Sequence, residues 1–357
     1  MSIKMRFVCI ILVVVQCVPA QAWLTGYSYR KSITVQDTNI DSNLTDFPLY
    51  VDVTADTDIG GGMTDTTNYY DFRITDSADS VVSYEVEYFD ITTGTANAHI
   101  WAQCDPLATG GQTLYFYYGK SSDTDGSGDP WNANFLAVWH FGEASWNGTA
   151  NEVVDSSGNA EHGTAASATV LASAKIGSGG DFGAGQVNVT NPSWSLADLT
   201  ISCWNYVNSE SADWDIIKSA ITSNNALIVS RRYSLDRFQL YYGNGTSEDF
   251  AHVTPSVTTG TWEHWVVTKD NGNFEFFMNG ASIATDIESD LNAVTGADLE
   301  LWEDADVDGD ELRVSNVVRS DAWIKFEHAN MNESDNELTW GSEESQSVST
   351  YYYLTIQ

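Results

Sequence analysis

From Trp23 onward, apolar and polar side chains alternate in short runs, and each run is bounded by Asp, Ser, Gly, Asn or Thr. A period of two sends one side of an extended backbone to a core and the other to water. A surface helix needs a period near 3.6, which no long segment sustains. Strands are therefore expected at 27–35, 47–53, 70–75, 81–90, 98–103 and 113–118, and again at 135–141, 186–190, 199–206, 225–229, 238–242, 261–270, 274–280 and 311–316. Asn279-Gly280 reads as a tight hairpin turn, because both residues tolerate positive φ. Residues 322–327 form a short amphipathic segment expected to cap one end. The fold class is all-β, with antiparallel β-sandwiches in tandem.

The first 22 residues carry basic Lys4 and Arg6, then an apolar run, then Ala20-Gln21-Ala22. This pattern fits a secretory signal peptide, and the run is short for a membrane span. The remaining chain is longer than one core usually serves, so two domains are expected. Residues 121–134, rich in Ser, Asp and Gly, read as the linker, and Trp131 and Trp139 at its end are candidates for packing the domains together. The expected organisation is a signal peptide over 1–22, a first sandwich over 23–135, a jelly roll over 136–344 and a tail over 345–357.

With 15 Lys+Arg against 50 Asp+Glu, the chain repels nucleic acid and anionic lipid, and neither is expected as a partner. The expectation is export to the extracellular space or cell surface, with no membrane insertion after cleavage. Outside the signal, Cys104 and Cys203 can form one bridge or remain two buried thiols.

Six stretches taken in order resemble the family called domain of unknown function 2341. They are Tyr29 to Thr34, Asp46-Phe47-Pro48, Asp71 to Thr75, Tyr84 to Glu87, Ile100-Trp101 and Leu114 to Gly119. The resemblance covers about 23–135 and implies a fold and a concanavalin-A-like neighbour, but no chemistry. The second half carries Asp155 to Asn159 with His162-Gly163-Thr164, then Leu199 to Ser202, Thr261-Trp262, Asn279-Gly280 and Asp310 to Val314. In this order they resemble the laminin-G-like, concanavalin-A-like lectin/glucanase jelly roll. Its last strand, 311–316, is expected beside its first, and Cys203 stands where a small apolar residue is usual.

Calcium is the expected cofactor, since hard cations take six to eight oxygens from Asp, Asn and loop carbonyls. The resemblance implies that the Asp155 loop and the start of the last strand share one ion. The candidate ligands are Asp155, Asn159, Asp308, Asp310 and Glu311. Asp304, Asp306, Asp308 and Gly309 also mimic the start of an EF-hand loop, but Ser315 stands at the bidentate position and the flanks are strands. For sugar, Trp146, Trp194, Tyr233 and Trp302 sit in polar, loop-like sequence and are candidates for stacking on a pyranose ring.

No catalytic residue is assigned. Glu85 and Glu87 share a strand face, the geometry a glycosidase pair needs, but the sequence favours a solvated outer face. The expected function is a secreted, non-catalytic binding or adhesion protein whose partner is a glycan or a cell-surface or matrix component. A glycoside hydrolase or polysaccharide lyase and a structural spacer are the alternatives.

Overall fold

The computed structural model describes residues 23–36, 38–219, 224–295, 298–303, 306–332 and 337–346. The expected signal peptide, Asp304 and tail residues 347–357 lie outside the described residues.

The first sandwich pairs two sheets. Tyr29–Val35, Gln112–Tyr118 and Phe72–Thr75 lie in a five-stranded sheet, and Phe47–Asp56, Thr95–Cys104 and Tyr84–Thr92 form a three-stranded one. Ile33, Leu114 and Phe116 from the first meet Leu49, Val51 and Ile100 from the second in a shared core. The five-stranded sheet is completed from far downstream, by Leu338–Trp340 and Glu344–Ser345. Ile33 pairs with Trp340, and Arg30 with Glu344. These residues were expected to end the jelly roll or begin the tail, and they close the first sandwich instead.

The second unit stacks an eight-stranded sheet on a seven-stranded sheet. Leu199, Ile201, Trp265 and Val267 of one meet Leu227, Val229, Leu240 and Leu301 of the other. The expected first and last strands do lie side by side, with Phe135–Trp139 antiparallel to Val307–Ser315. Asn279 and Gly280 have φ of 50° and 74°, the double positive-φ turn that two-residue hairpins select. Cys104 and Cys203 are both buried free thiols, and burial pushes each up to about 12.

The two units are not beads on a string. Period-two alternation gives the three-stranded sheet an outer face with Tyr50, Trp101, Glu85 and Glu87, and the eight-stranded sheet packs over it. Trp101 and Trp131 stand 5.6 Å apart, and the His140 ring lies within 5.5 Å of both. Trp131 therefore does join the units, whereas Trp139 points into the jelly-roll core. Residues 322–327 belong to a longer helix, Asp321–Met331, capped by the Ser320 hydroxyl, which accepts from the Trp323 amide. Trp323 and Phe326 bury against Phe47, and the Asn330 side chain bonds both backbone groups of Tyr50. The helix thus wedges the junction rather than capping an end.

Candidate functional site

The expected solvated face of Glu85 and Glu87 is the lining of this junction. Glu85 accepts from Trp131 Nε1 at 2.6 Å and from the Ser156 hydroxyl at 2.6 Å, and lies 3.5 Å from His140 Nε2. Burial opposes its charge, but His140 and these hydrogen bonds outweigh it and bring the carboxyl down to about 2. Glu87 accepts from Trp101 Nε1 at 3.0 Å, and its side chain is only 6% exposed. Burial, partly countered by His140 and reinforced by Glu311, pushes Glu87 up to about 8. Tyr88 is 47% exposed, because a register shift between Val86 and Tyr88 turns the strand over.

From the jelly roll, Glu311 accepts at 2.8 Å from His140 Nδ1 and at 2.7 Å from Arg313 Nη2. Arg313 Nη1 reaches Glu327 of the helix at 2.8 Å. The Arg313 guanidinium lies 4.4 Å from the Trp101 ring centroid, so one cation ties both sheets and the helix together. Burial works against a charge on His140, yet Glu311 and Glu85 raise it well above the usual imidazole range.

Glu85 is also the floor of an open cleft of about 420 Å³ on the rim of the junction. Asn68 and Tyr70 form one side, and Asp125, Asp129 and Ser156 the other. Both walls are pinned. Asp65 accepts from the amides of Thr67, Asn68 and Tyr70, and the Tyr69 ring stacks on Phe89 at 4.7 Å, leaving Tyr70 38% exposed. Opposite, Arg73 donates to the Thr124 carbonyl, and Gly126 passes so close to the Arg73 guanidinium that a Cβ would sit 2.0 Å from Cζ. The cleft therefore offers an aromatic ring, an amide and several carboxylates on preordered loops.

The expected calcium ligands do not fit that ion. Asp155 is 4% exposed, and its oxygens accept from the amides of Val138, Ser157 and Glu161 and from the Ser157 hydroxyl. It is the keystone of its turn, with its acceptor positions filled by protein donors. The Asn159 amide nitrogen is likewise spent on the Phe135 and Leu136 carbonyls. Asp310 accepts from the amides of Ile176 and Glu311. Asp308 lies elsewhere on the strand, opposite Asp181. Of these residues only Glu311 joins the junction cluster, and Asp155 borders the cleft solely through neighbouring Ser156 and Gly158.

Nor are the expected sugar platforms gathered. Trp302 is fully buried, stacked on Phe182 at 4.6 Å, with its indole donating to Asn205 at 2.7 Å. Trp194 is 7% exposed, and Trp146 packs against the same core. Only Tyr233 is open, at 45%.

The seven-stranded sheet offers a second polar row, but its charges satisfy one another. Lys218 pairs with Glu300 and Glu303, and Arg232 pairs with Asp215 at 2.7 Å. Burial, incompletely offset by Arg232 and Lys218, pushes Asp215 up to about 6. A carboxyl whose native value exceeds its unfolded one holds its proton longer when folded. Stability from this group is therefore greatest below pH 4 and declines as pH rises through about 6. Asp215→Asn removes that titration, so the wild type should lose about 2 kcal/mol relative to the variant between pH 4 and pH 7. Urea unfolding at both pH values checks this, and a difference independent of pH contradicts it.

Family models match a segment in each half of the chain. No curated protein matches the sequence. Among solved structures, domain 4 of AbnA, an extracellular GH43 arabinanase of Geobacillus stearothermophilus in complex with arabinotriose, is 19% identical, with a TM-score of 0.45 over 54% of this chain and 97% of that domain. The binding domain of botulinum neurotoxin DC in complex with SialylT is 14% identical, with a TM-score of 0.42 over 56% of this chain and 51% of that one. The binding domain of Paraclostridial mosquitocidal protein 1 is 11% identical, with a TM-score of 0.43 over 55% and 52%. This chain thus spans about half the length of both toxin binding domains. Residues 68–144 match the family described as domain of unknown function 2341, and residues 180–325 match the concanavalin A-like lectin/glucanases superfamily.

Proposed function

We propose that the chain is an exported, non-catalytic binding protein that takes a glycan in the cleft between the Tyr70 loop and the linker. The carrying observation is the cleft itself: an exposed phenol ring fixed beside an amide and ionised carboxylates, the combination that stacks on a sugar face and hydrogen-bonds its hydroxyls. Export rests on the pattern of residues 1–22. No helix among the described residues is long and apolar enough to cross a membrane.

The hydrolase alternative has a specific difficulty. Glu85 and Glu87 have the divergent acidities of an acid and nucleophile pair, but Glu85 lines the cleft while Glu87 is sealed beneath Trp101. An acid that cannot reach the leaving-group oxygen cannot protonate it.

The test is a glycan array probed with the full chain, followed by titration of each hit. Tyr70→Ala should weaken binding about 10-fold, as expected for loss of one stacking contact of about 1.5 kcal/mol. Tyr233→Ala should leave it unchanged. Equal affinity of the Tyr70 variant and the wild type for every hit would rule out the cleft.

A further inference from the structure

We propose that Glu87, His140 and Glu311 form a site for one divalent transition ion of the zinc class, which locks the two sandwiches together behind the cleft. The donors come from the Tyr84–Thr92 strand, the residue after the Phe135–Trp139 strand, and the Val307–Ser315 strand. No segment carries the site alone, and it exists only when the units are docked. One ligand atom from each lies within 4.8 Å of the others. His140 Nδ1 is 2.8 Å from Glu311 Oε1 and 3.8 Å from Glu87 Oε2, and the ion takes the place of the Nδ1 proton, which is released to solvent on binding.

A buried cluster of charges can be a closed ion-pair network, so the argument rests on what surrounds each donor. Metal-bound imidazole characteristically presents its second nitrogen to a carboxylate that fixes the ring. Here His140 Nε2 is buried without a hydrogen bond and faces Glu85 Oε2 at 3.5 Å. Glu85 is itself fixed by Trp131 and Ser156. Arg313 holds Glu311 through Oε2 and leaves Oε1 toward His140, while Trp101 holds Glu87 through Oε2, the oxygen that lies 3.8 Å from His140 Nδ1. His140 and Glu311 thus each have an outer partner on the atom that faces away from the cluster, and Glu87 is fixed by Trp101.

The space is also kept clear. A Cβ on Gly142 would stand 3.2 Å from Glu87 Oε1, and one on Gly177 3.7 Å from the same oxygen. The mixed nitrogen and oxygen donors suit zinc, iron(II) or manganese(II) rather than calcium, which takes oxygen alone. Because the ion binds only the docked form, it stabilises that form by mass action.

The experiment uses the full chain stripped by chelator. Zinc chloride is titrated by calorimetry, and thermal unfolding is followed with zinc, with calcium and with chelator. The expected result is saturation near one equivalent, a higher Tm in zinc than in chelator, and little response to calcium. Glu87→Gln should weaken zinc binding at least 100-fold. Glu85→Gln, which changes only the outer partner, should weaken it about 10–100-fold. Absence of saturable binding, wild-type affinity in both variants, or an equal response to calcium overturns the site. If Glu87→Gln does not fold, X-ray absorption of the zinc-loaded wild type decides. A first shell of light donors including one imidazole is expected, and a shell without imidazole overturns the proposal.

Discussion

Arg313→Met should destabilise the chain by about 3–5 kcal/mol, the usual cost of breaking a buried ion pair from one side. Arg313 is 2% exposed and bridges Glu311 of the jelly roll to Glu327 of the helix, with its guanidinium over Trp101 of the first sandwich. Methionine replaces the volume but leaves Glu327 without the guanidinium it bonds and Glu311 with His140 alone. The loss should therefore come mostly from stranded charge rather than lost packing. Adding Glu327→Gln to Arg313→Met should recover part of it, since the carboxylate left without its guanidinium is then neutral. Urea unfolding of both variants checks the pair. A single variant within 1 kcal/mol of the wild type would mean that the junction is solvated and the two units are only loosely apposed.

Trp302→Ala should cost a further about 3–5 kcal/mol in an independent place, because the ring lies in the jelly-roll core rather than on its surface. It fills the space between Phe141 and Phe182, and its indole is the hydrogen-bond donor to Asn205, which is fully buried. Alanine leaves both a cavity and an orphaned amide oxygen, and the latter adds about 1–3 kcal/mol. Tyr233→Ala, at an open turn, should change stability by less than about 0.5 kcal/mol. Denaturation midpoints for the two variants separate a core tryptophan from a surface ligand platform. Similar small effects at both positions would restore Trp302 to the surface.

What the sequence made legible was what is local. Alternation reports which residues share a strand face, so the strands of both sandwiches and the Asn279-Gly280 hairpin could be placed. Family-specific order placed the last jelly-roll strand beside the first. Alternation does not report what covers a face. Glu85 and Glu87 were correctly put on one outer face, but that face is roofed by a second sheet, which converts a solvated pair into a buried network. Closure of the first sandwich by residues 338–345 depends on a pairing some 300 positions away, and no local pattern encodes it. Trp302 was misread for a related reason. Its neighbours Glu300 and Glu303 are polar, but its own φ of 52° departs from regular strand geometry, and the ring lies in the core over Gly309.

One signal for the site was present and unused. Trp101 stands opposite Glu85 in the register, and Trp131 ends the linker; two large indoles beside paired acids on a nominally wet face suggest that the face is covered. The Asp155 turn shows the converse limit. Its composition resembles a cation loop, but the same oxygens serve as well to accept the turn's own amides, and here they do.

The measurement that bears most directly on the account is a crystal structure of the full chain with the strongest glycan from the array. The account predicts density for a sugar ring against Tyr70, its hydroxyls within hydrogen-bond reach of Asn68, Asp125 or Asp129. Sugar density on the seven-stranded sheet over Lys218 and Asp215, with the Tyr70 cleft holding only water, would contradict it.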